Sequence, residues 1–215
     1  MILAEKELIV HEQHFVLTNL RAFFWREASA IVLSDLHLGK TAHFRKNGIA
    51  LPSQLLHQDL ERLSQLVEHY QPRQIIVVGD FLHAGKNSDL ELFKDWRAKF
   101  SDVLLRVVKG NHDRMAPSVF HQLSVDEVCD VYEEKGMVFS HEEIANSEKF
   151  VVSGHYHPGI QLKTSVKGIQ KFPCFMVTQR QLILPAFSSF SGLDTRNHPA
   201  HARYYFFTHE GIYEI

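Results

Sequence analysis

Five times along this chain a short aliphatic or β-branched run stops abruptly at a cluster rich in Asp, Asn, Gly and His. Ala30 to Leu33 runs into Ser34-Asp35-Leu36-His37, and Ile75 to Val78 into Gly79-Asp80. Val103 to Val108 passes through Lys109 into Gly110-Asn111-His112-Asp113, and Met137 to Phe139 leads to Ser140-His141. Phe150 to Val152 leads to Ser153-Gly154-His155-Tyr156-His157. Runs of this length and composition predict strands buried on both faces. The polar residues after them then fall at the C-terminal strand ends, where an open α/β sheet presents its ligand crevice. Singly, each cluster is weak, because a Gly-Asp after a strand is commoner as a turn than as a metal site. The constraint lies in the series.

Between these runs the apolar period changes. Leu55, Leu56, Leu60, Leu63, Leu66, Val67 and Tyr70 recur at three- and four-residue steps and predict a helix over 53–70, with Pro52 and Ser53 at its start. Ser88-Asp89-Leu90-Glu91 has the form of a capping box and predicts a second helix over 88–100, with Leu92, Phe93, Trp96 and Phe100 inward. A shorter helix is expected over 117–123. Strand candidates before the first cluster (8–10, 15–17, 22–25) and after the last (172–178, 181–184, 204–208, 212–215) complete a single layered α/β domain over 1–215. In it two central sheets lie face to face, flanked by helices.

The chain can bury a large core: 45% of its 215 residues are hydrophobic. Its formal charge is -2, so no global positive field draws it to nucleic acid or an anionic membrane, and any polyanion must be gripped locally. Two cysteines, Cys129 and Cys174, do not make a disulfide framework. Glu5, Lys6 and Glu7 interrupt the N-terminal segment where a signal peptide needs an apolar stretch, and no run approaches the roughly 18 apolar residues of a spanning helix. A cytoplasmic protein with no membrane partner is expected. Fifteen histidines are far above ordinary usage and direct attention to metal binding. Eight of them (His11, His14, His57, His69, His121, His198, His201 and His209) match no motif and read as surface or packing residues.

The ordered series Asp35-x-His37, Gly79-Asp80, Gly110-Asn111-His112-Asp113, His141 and Gly154-His155-x-His157 resembles the calcineurin-like metallophosphoesterase superfamily. That resemblance implies a four-layer α/β/β/α sandwich with two central mixed sheets and a dinuclear metal site. It places Asp35, His37 and His157 on one ion and Asn111, His141 and His155 on the other, with Asp80 bridging both. His112 is left as an acid beside the centre. Imidazoles, an amide oxygen and a shared carboxylate suit two divalent ions of borderline softness. Mn²⁺ is the first expectation, with Fe or Zn²⁺ as alternatives. Two such ions, less the charges of Asp35, Asp80 and a bridging hydroxide, leave about one positive charge to attract a phosphate. Ions about 3.5 to 4 Å apart share a water, acidify it and present it in line with phosphorus. His112 would stabilise the developing charge or protonate the leaving oxygen. Asp113 is expected to orient its ring or to favour its charged form.

The metal motifs define phosphoester hydrolysis but not the substrate. Three segments, Leu38 to Pro52, Gly154-His155-Tyr156-His157-Pro158 and Leu184 to Gly192, resemble the bacterial DNA ligase-associated metallophosphoesterases. That resemblance implies a DNA-repair endonuclease or phosphodiesterase. Its pathway partners would be an ATP-dependent DNA ligase, a helicase and an exonuclease-like protein. From the residues themselves, Lys40, His43, Arg45 and Lys46 follow two metal ligands closely enough to reach phosphates flanking the scissile one, and Phe44 is placed to stack on an unpaired base. The blander reading has Phe44 packed under its loop and the cations solvated. His83, three residues after Asp80, enters the same site as a substrate contact or a neighbour of the ligands. Lys163, Lys167 and Lys171, on an expected hairpin, are a further candidate basic edge. Single-stranded or damaged DNA is the expected substrate. The competing readings are a small-molecule nucleotidase or cyclic-nucleotide phosphodiesterase with the same centre, and a non-catalytic scaffold, which the complete ligand set disfavours.

Overall fold

Each aliphatic run becomes a strand, and in the first three of them alternate residues feed two different cores. The computed structural model describes residues 2–48, 54–84, 87–164, 168–196, 198–199 and 201–215. In chain order these form β1 (Glu5–Val10), β2 (Gln13–Thr18), β3 (Phe23–Trp25), β4 (Ala30–Leu33), α1 (Lys40–Lys46), α2 (Leu55–Tyr70) and β5 (Gln74–Val78). There follow α3 (Ser88–Lys99), β6 (Leu104–Val108), α4 (Pro117–Gln122), β7 (Glu127–Cys129), β8 (Val131–Glu134), β9 (Met137–Ser140) and β10 (Phe150–Ser153). The chain closes with β11 (Gly159–Thr164), β12 (Gly168–Val177), β13 (Gln181–Ile183), β14 (Arg203–Phe207) and β15 (Ile212–Glu214).

The first sheet has the order β1-β2-β3-β4-β5-β6-β7, antiparallel up to β4 and parallel from β4 to β7. The second has the order β15-β14-β12-β13-β10-β9-β8, with β11 joined to β12. There β9, β10 and β13 run parallel and the other pairings are antiparallel. Both sheets are mixed, as the family resemblance implies.

Side-chain alternation explains why β4 and β5 are apolar throughout. Ile31, Leu33, Ile75 and Val77 face α2, α3 and α4, packing with Leu60, Leu63, Phe93, Trp96 and Phe120. Ala30, Val32, Ile76 and Val78 face the second sheet and meet Trp25, Phe139, Val152 and Phe175. On the far face of the second sheet Cys174, Met176, Ile183 and Phe206 pack with Ile160 and Leu162 of β11. The β11–β12 hairpin expected after His157 is present; Lys167 lies outside the described residues, as do Pro52 and Ser53. Among the described residues no helix is long and apolar enough to cross a membrane.

Two local expectations need correction. The segment after His37 is the helix α1 rather than a loop, entered through Gly39 at φ 86 with no side-chain cap. Seven residues carry too little periodicity to show in sequence. The cap of α3 is Asn87, whose side chain accepts from the Asp89 amide, one residue before the expected Ser88.

Parallel pairing continues one step beyond the strands and laces the polar loops together. Asp35 and His37 donate their amides to the Gly79 and Asp80 carbonyls at 3.1 and 2.8 Å, and Gly79 donates to Val108 at 2.8 Å. From the second sheet, Gly154 donates to His141 at 3.2 Å, and Ser188 donates to Asp35 at 3.2 Å. All five clusters therefore meet at one end of the paired sheets.

Candidate metal centre

The laced loops leave no room for side chains at their closest approaches. A Cβ on Gly79, itself at φ +83, would lie 1.8 Å from His141 Nδ1, and one on Gly110 would lie 2.2 Å from Asp80 Oδ1. The ligand candidates themselves hold left-handed backbone: Asp35, His37, Asp80, His155 and His157 have φ of 53, 52, 45, 70 and 48. Such conformations cost about 1 kcal/mol or more each and persist where the surroundings over-determine them.

The side chains converge as lone pairs around common points. One potential ligand atom from each of Asp35, His37 and His157 lies within 4.8 Å of the others, and the same holds for Asp35, Asp80 and His141. Asp35 Oδ1 stands 3.2 Å from His157 Nε2. His141 Nε2 is surrounded by Asn111 Oδ1 at 2.9 Å, His155 Nδ1 at 3.0 Å and Asp80 Oδ1 at 3.5 Å. One imidazole proton cannot satisfy three such neighbours. Asp35 Oδ1, both ring nitrogens of His37 and Nδ1 of His141 are buried without a hydrogen-bond partner, an arrangement that would cost about 1–3 kcal/mol per group without compensation. Divalent cations would supply that compensation, and the donor set of carboxylates, imidazoles and an amide fits them.

The electrostatics prepare the ligands. Burial, reinforced by the Lys40 ammonium, pushes the His37 imidazole down to about 3, and burial lowers His141. Both rings are thus neutral at neutral pH, as metal ligation requires. Burial is the strongest single influence on Asp35 and acts to raise it, but His157, Ser34 and His141 together hold the carboxylate below its usual range.

The remaining expected residues divide. The backbone of His112 donates to Asp80 Oδ1 at 3.0 Å, while its ring nitrogen lies 4.0 Å from Asp80 Oδ2 and its side chain is half-exposed. Asp113 does not orient that ring. Its buried carboxylate accepts backbone amides from Phe81, Leu82 and Gly110 at 3.1, 2.7 and 2.8 Å, so it fastens two ligand loops together. Lys40, His43, Phe44 and His83 do gather beside the centre. The His83 ring lies 5.6 Å from His37, 4.8 Å from His112, 5.9 Å from His43 and 6.4 Å from Phe44 between centroids. Burial, with His112 and Lys40 nearby, brings His83 down to about 4.

Arg45 corrects the expectation made of it. It turns back onto Asp89 Oδ1 at 3.2 Å, and its buried Nη1 has no hydrogen-bond partner, so it is an ion-paired anchor of α1 rather than a free cation. The same Asp89 accepts from Thr41 Oγ1 at 2.7 Å and the Ala42 amide at 3.0 Å, tying α1 to α3. In the sequence Asp89 is visible only as one residue of the Ser88-Asp89-Leu90-Glu91 helix start. On the other side of the centre, the buried Asp59 accepts from Arg62 at 2.8 Å and from Ser189 Oγ at 2.9 Å, which secures the loop after β13. Arg21 reaches the Ala186 carbonyl of that loop at 3.0 Å.

Two face-to-face mixed sheets with clustered Asp, His and Asn ligands at one end define a metal-dependent phosphoesterase. The family model for calcineurin-like phosphoesterases matches residues 29–174, and the chain belongs to that family. It is similar to the crystal structure of the nuclease MPE of Pseudomonas putida, with 26% identity and a TM-score of 0.81 over 94% of this chain and 96% of that one. A phosphoesterase of E. coli, Yfce, matches at 15% identity and TM-score 0.43, covering 84% of this chain and 88% of that one. A protein of unknown function from Aquifex aeolicus matches at 18% identity and TM-score 0.41, covering 65% and 81%. The curated proteins compared with the chain give no match.

Proposed function

We propose that this protein is a Mn²⁺-dependent phosphodiesterase that cleaves single-stranded or damaged DNA in the cytoplasm, in repair alongside an ATP-dependent DNA ligase. The observation that carries the reading is the similarity to a nuclease along almost the whole of both chains. The Lys40 ammonium and the aromatic rings gathered beside the ligand cluster support it, because a cation and stacking faces are the groups a nucleic-acid strand requires.

In this reading Asp35, His37 and His157 would hold one ion and Asn111, His141 and His155 the other, with Asp80 available to both. Such ions would supply Lewis-acid charge and acidify a water. The residues of the chain do the rest. Lys40, partly buried and close enough to Asp35 and Asp80 to feel their charges, attracts a phosphate oxygen. His112, fixed through its backbone to Asp80 and open to solvent on its ring, donates a proton to the leaving oxygen. Asp113 keeps the Asn111-His112 turn in register with Asp80.

The test is hydrolysis of a labelled single-stranded DNA, a cyclic mononucleotide and a phosphomonoester by metal-stripped protein reloaded with Mn²⁺. His112→Ala is the control for contaminating nucleases. DNA cleavage that requires Mn²⁺ and vanishes in the variant is the expected result. Turnover of only the two small substrates would move the protein to nucleotide metabolism with its metal chemistry intact.

A further inference from the structure

Two aromatic side chains from distant parts of the chain meet beside the ligand cluster. Phe44 of α1 and Phe190 of the loop after β13 lie 5.6 Å apart between centroids at 81°. In such an edge-to-face pair, the ring presenting its edge keeps both faces clear of its partner. Both residues are only half-buried. Lys40 Nζ lies over the Phe190 ring, 6.0 Å from its centroid, while also sensing Asp35 and Asp80, so this corner borders the site. From the other direction the rings of His37, His83 and Phe44 follow one another at 5.6 and 6.4 Å.

Neither ring is there by default. Buried Asp89 holds α1 through Thr41, Ala42 and Arg45, and buried Asp59 holds the Phe190 loop through Ser189. That loop is further fixed by Phe187 donating to Ser34 at 2.8 Å and Ser188 to Asp35 at 3.2 Å. Two buried carboxylates thus keep an apolar corner partly open to water next to a phosphate-attracting lysine.

We propose that Phe190 and Phe44 form a stacking wall for an unpaired nucleobase of the strand being cleaved, and that Phe190 is a specificity-determining residue for it. The inference rests on the DNA phosphodiesterase reading above and deepens it. A base is planar and apolar on its faces, and its own phosphate would point toward Lys40 and the metal ligands. A base inside a duplex has its faces covered and must leave the stack to reach such a wall. The wall therefore selects single strands, flaps or lesions without reading base identity.

The experiment compares two end-labelled strands of equal length with Mn²⁺-loaded protein, one ordinary single-stranded DNA and one built wholly of tetrahydrofuran abasic units. Both carry the same phosphates. Stacking worth about 1–3 kcal/mol per base corresponds to roughly a 5- to 150-fold preference in kcat/KM for the base-bearing strand. Wild type is expected to show that preference. Phe190→Ala and Phe44→Ala are each expected to reduce it at least fivefold, and Phe190→Trp, which keeps a stacking surface in the same loop, to retain it. Equal cleavage of both strands by wild type, or a preference that survives Phe190→Ala, overturns the wall while leaving the nuclease reading in place. Cleavage of neither strand overturns both.

Discussion

The carboxylate of Asp113 accepts the backbone amide of Leu82 at 2.7 Å, which clamps the loop carrying Asn111 and His112 to the loop carrying Asp80. With the amides of Phe81 and Gly110 also on this side chain, Asp113→Ala would leave three backbone donors without their acceptor. Hydrogen bonds to charged groups contribute about 1.5–3 kcal/mol each, not additively. We expect Asp113→Ala to lose at least about 2 kcal/mol in urea unfolding and to bind Mn²⁺ more weakly. Stability within about 0.5 kcal/mol of wild type, the range of an ordinary surface change, would show that the clamp is dispensable.

Gly110 tests the ligand geometry without removing a ligand. A Cβ there would stand 2.2 Å from Asp80 Oδ1 and 2.3 Å from the Asp80 amide nitrogen, so Asp80 must move. Displacing a ligand by disturbing its support typically costs about 10- to 100-fold in metal affinity or activity. Gly110→Ala should show a loss of that size in Mn²⁺ titrations. Gly192→Ala, where a Cβ meets nothing within 4 Å, is the control and should titrate like wild type. Equal affinities in the two variants would remove Asp80 from the centre.

The parts of this arrangement visible in sequence are those set by local pattern. β4 and β5 could be read because burial on both faces demands an unbroken apolar run, and the ligand loops because polar residues crowd where those runs stop. Elements set by tertiary contact were hidden. α1 depends on Asp89 of another helix for its anchor, and its short span shows no periodic stripe. Adjacency suggested that Asp113 serves His112, yet its partners Phe81 and Leu82 come from a loop far upstream. Arg45 read as a free cation because its buried partner cannot be inferred from spacing. Phe190 lay inside a recognisable segment, but its meeting with Phe44 exists only once both loops are folded.

Acid should destabilise the metal-free protein through the site histidines. His37 falls from an ordinary 6.5 to about 3, so between those values the unfolded chain binds a proton that the folded protein refuses. Its contribution to stability is present above about pH 6.5 and is lost as the pH falls toward 3. Well inside that window the slope is about 1.4 kcal/mol per pH unit for one such group. His83, lowered to about 4, acts in the same direction. Urea midpoints of metal-free protein at pH 7, 6 and 5 should fall progressively, and His37→Asn should flatten the trend. A variant with the wild-type slope would mean that His37 protonates freely in the folded state.

Asp89 is the anchor on which the substrate side of the site depends. Buried, it accepts Thr41 Oγ1, the Ala42 amide and Arg45, whose other guanidinium nitrogen Nη1 is already without a partner. Removing one side of a buried ion pair costs about 3–5 kcal/mol because the other charge is stranded. Asp89→Ala should fall in or near that range, and Asp89→Asn, which keeps an acceptor for Thr41 or Ala42, should lose less. The positioning role predicts more than instability. In Asp89→Ala held well below its unfolding transition, Lys40, His43 and Phe44 lose their fixed place while the metal ligands keep theirs. KM for single-stranded DNA should therefore rise by a larger factor than kcat falls, with Mn²⁺ stoichiometry unchanged. An intact KM alongside the stability loss would mean that α1 keeps its position without Asp89, and that the carboxylate serves the fold alone.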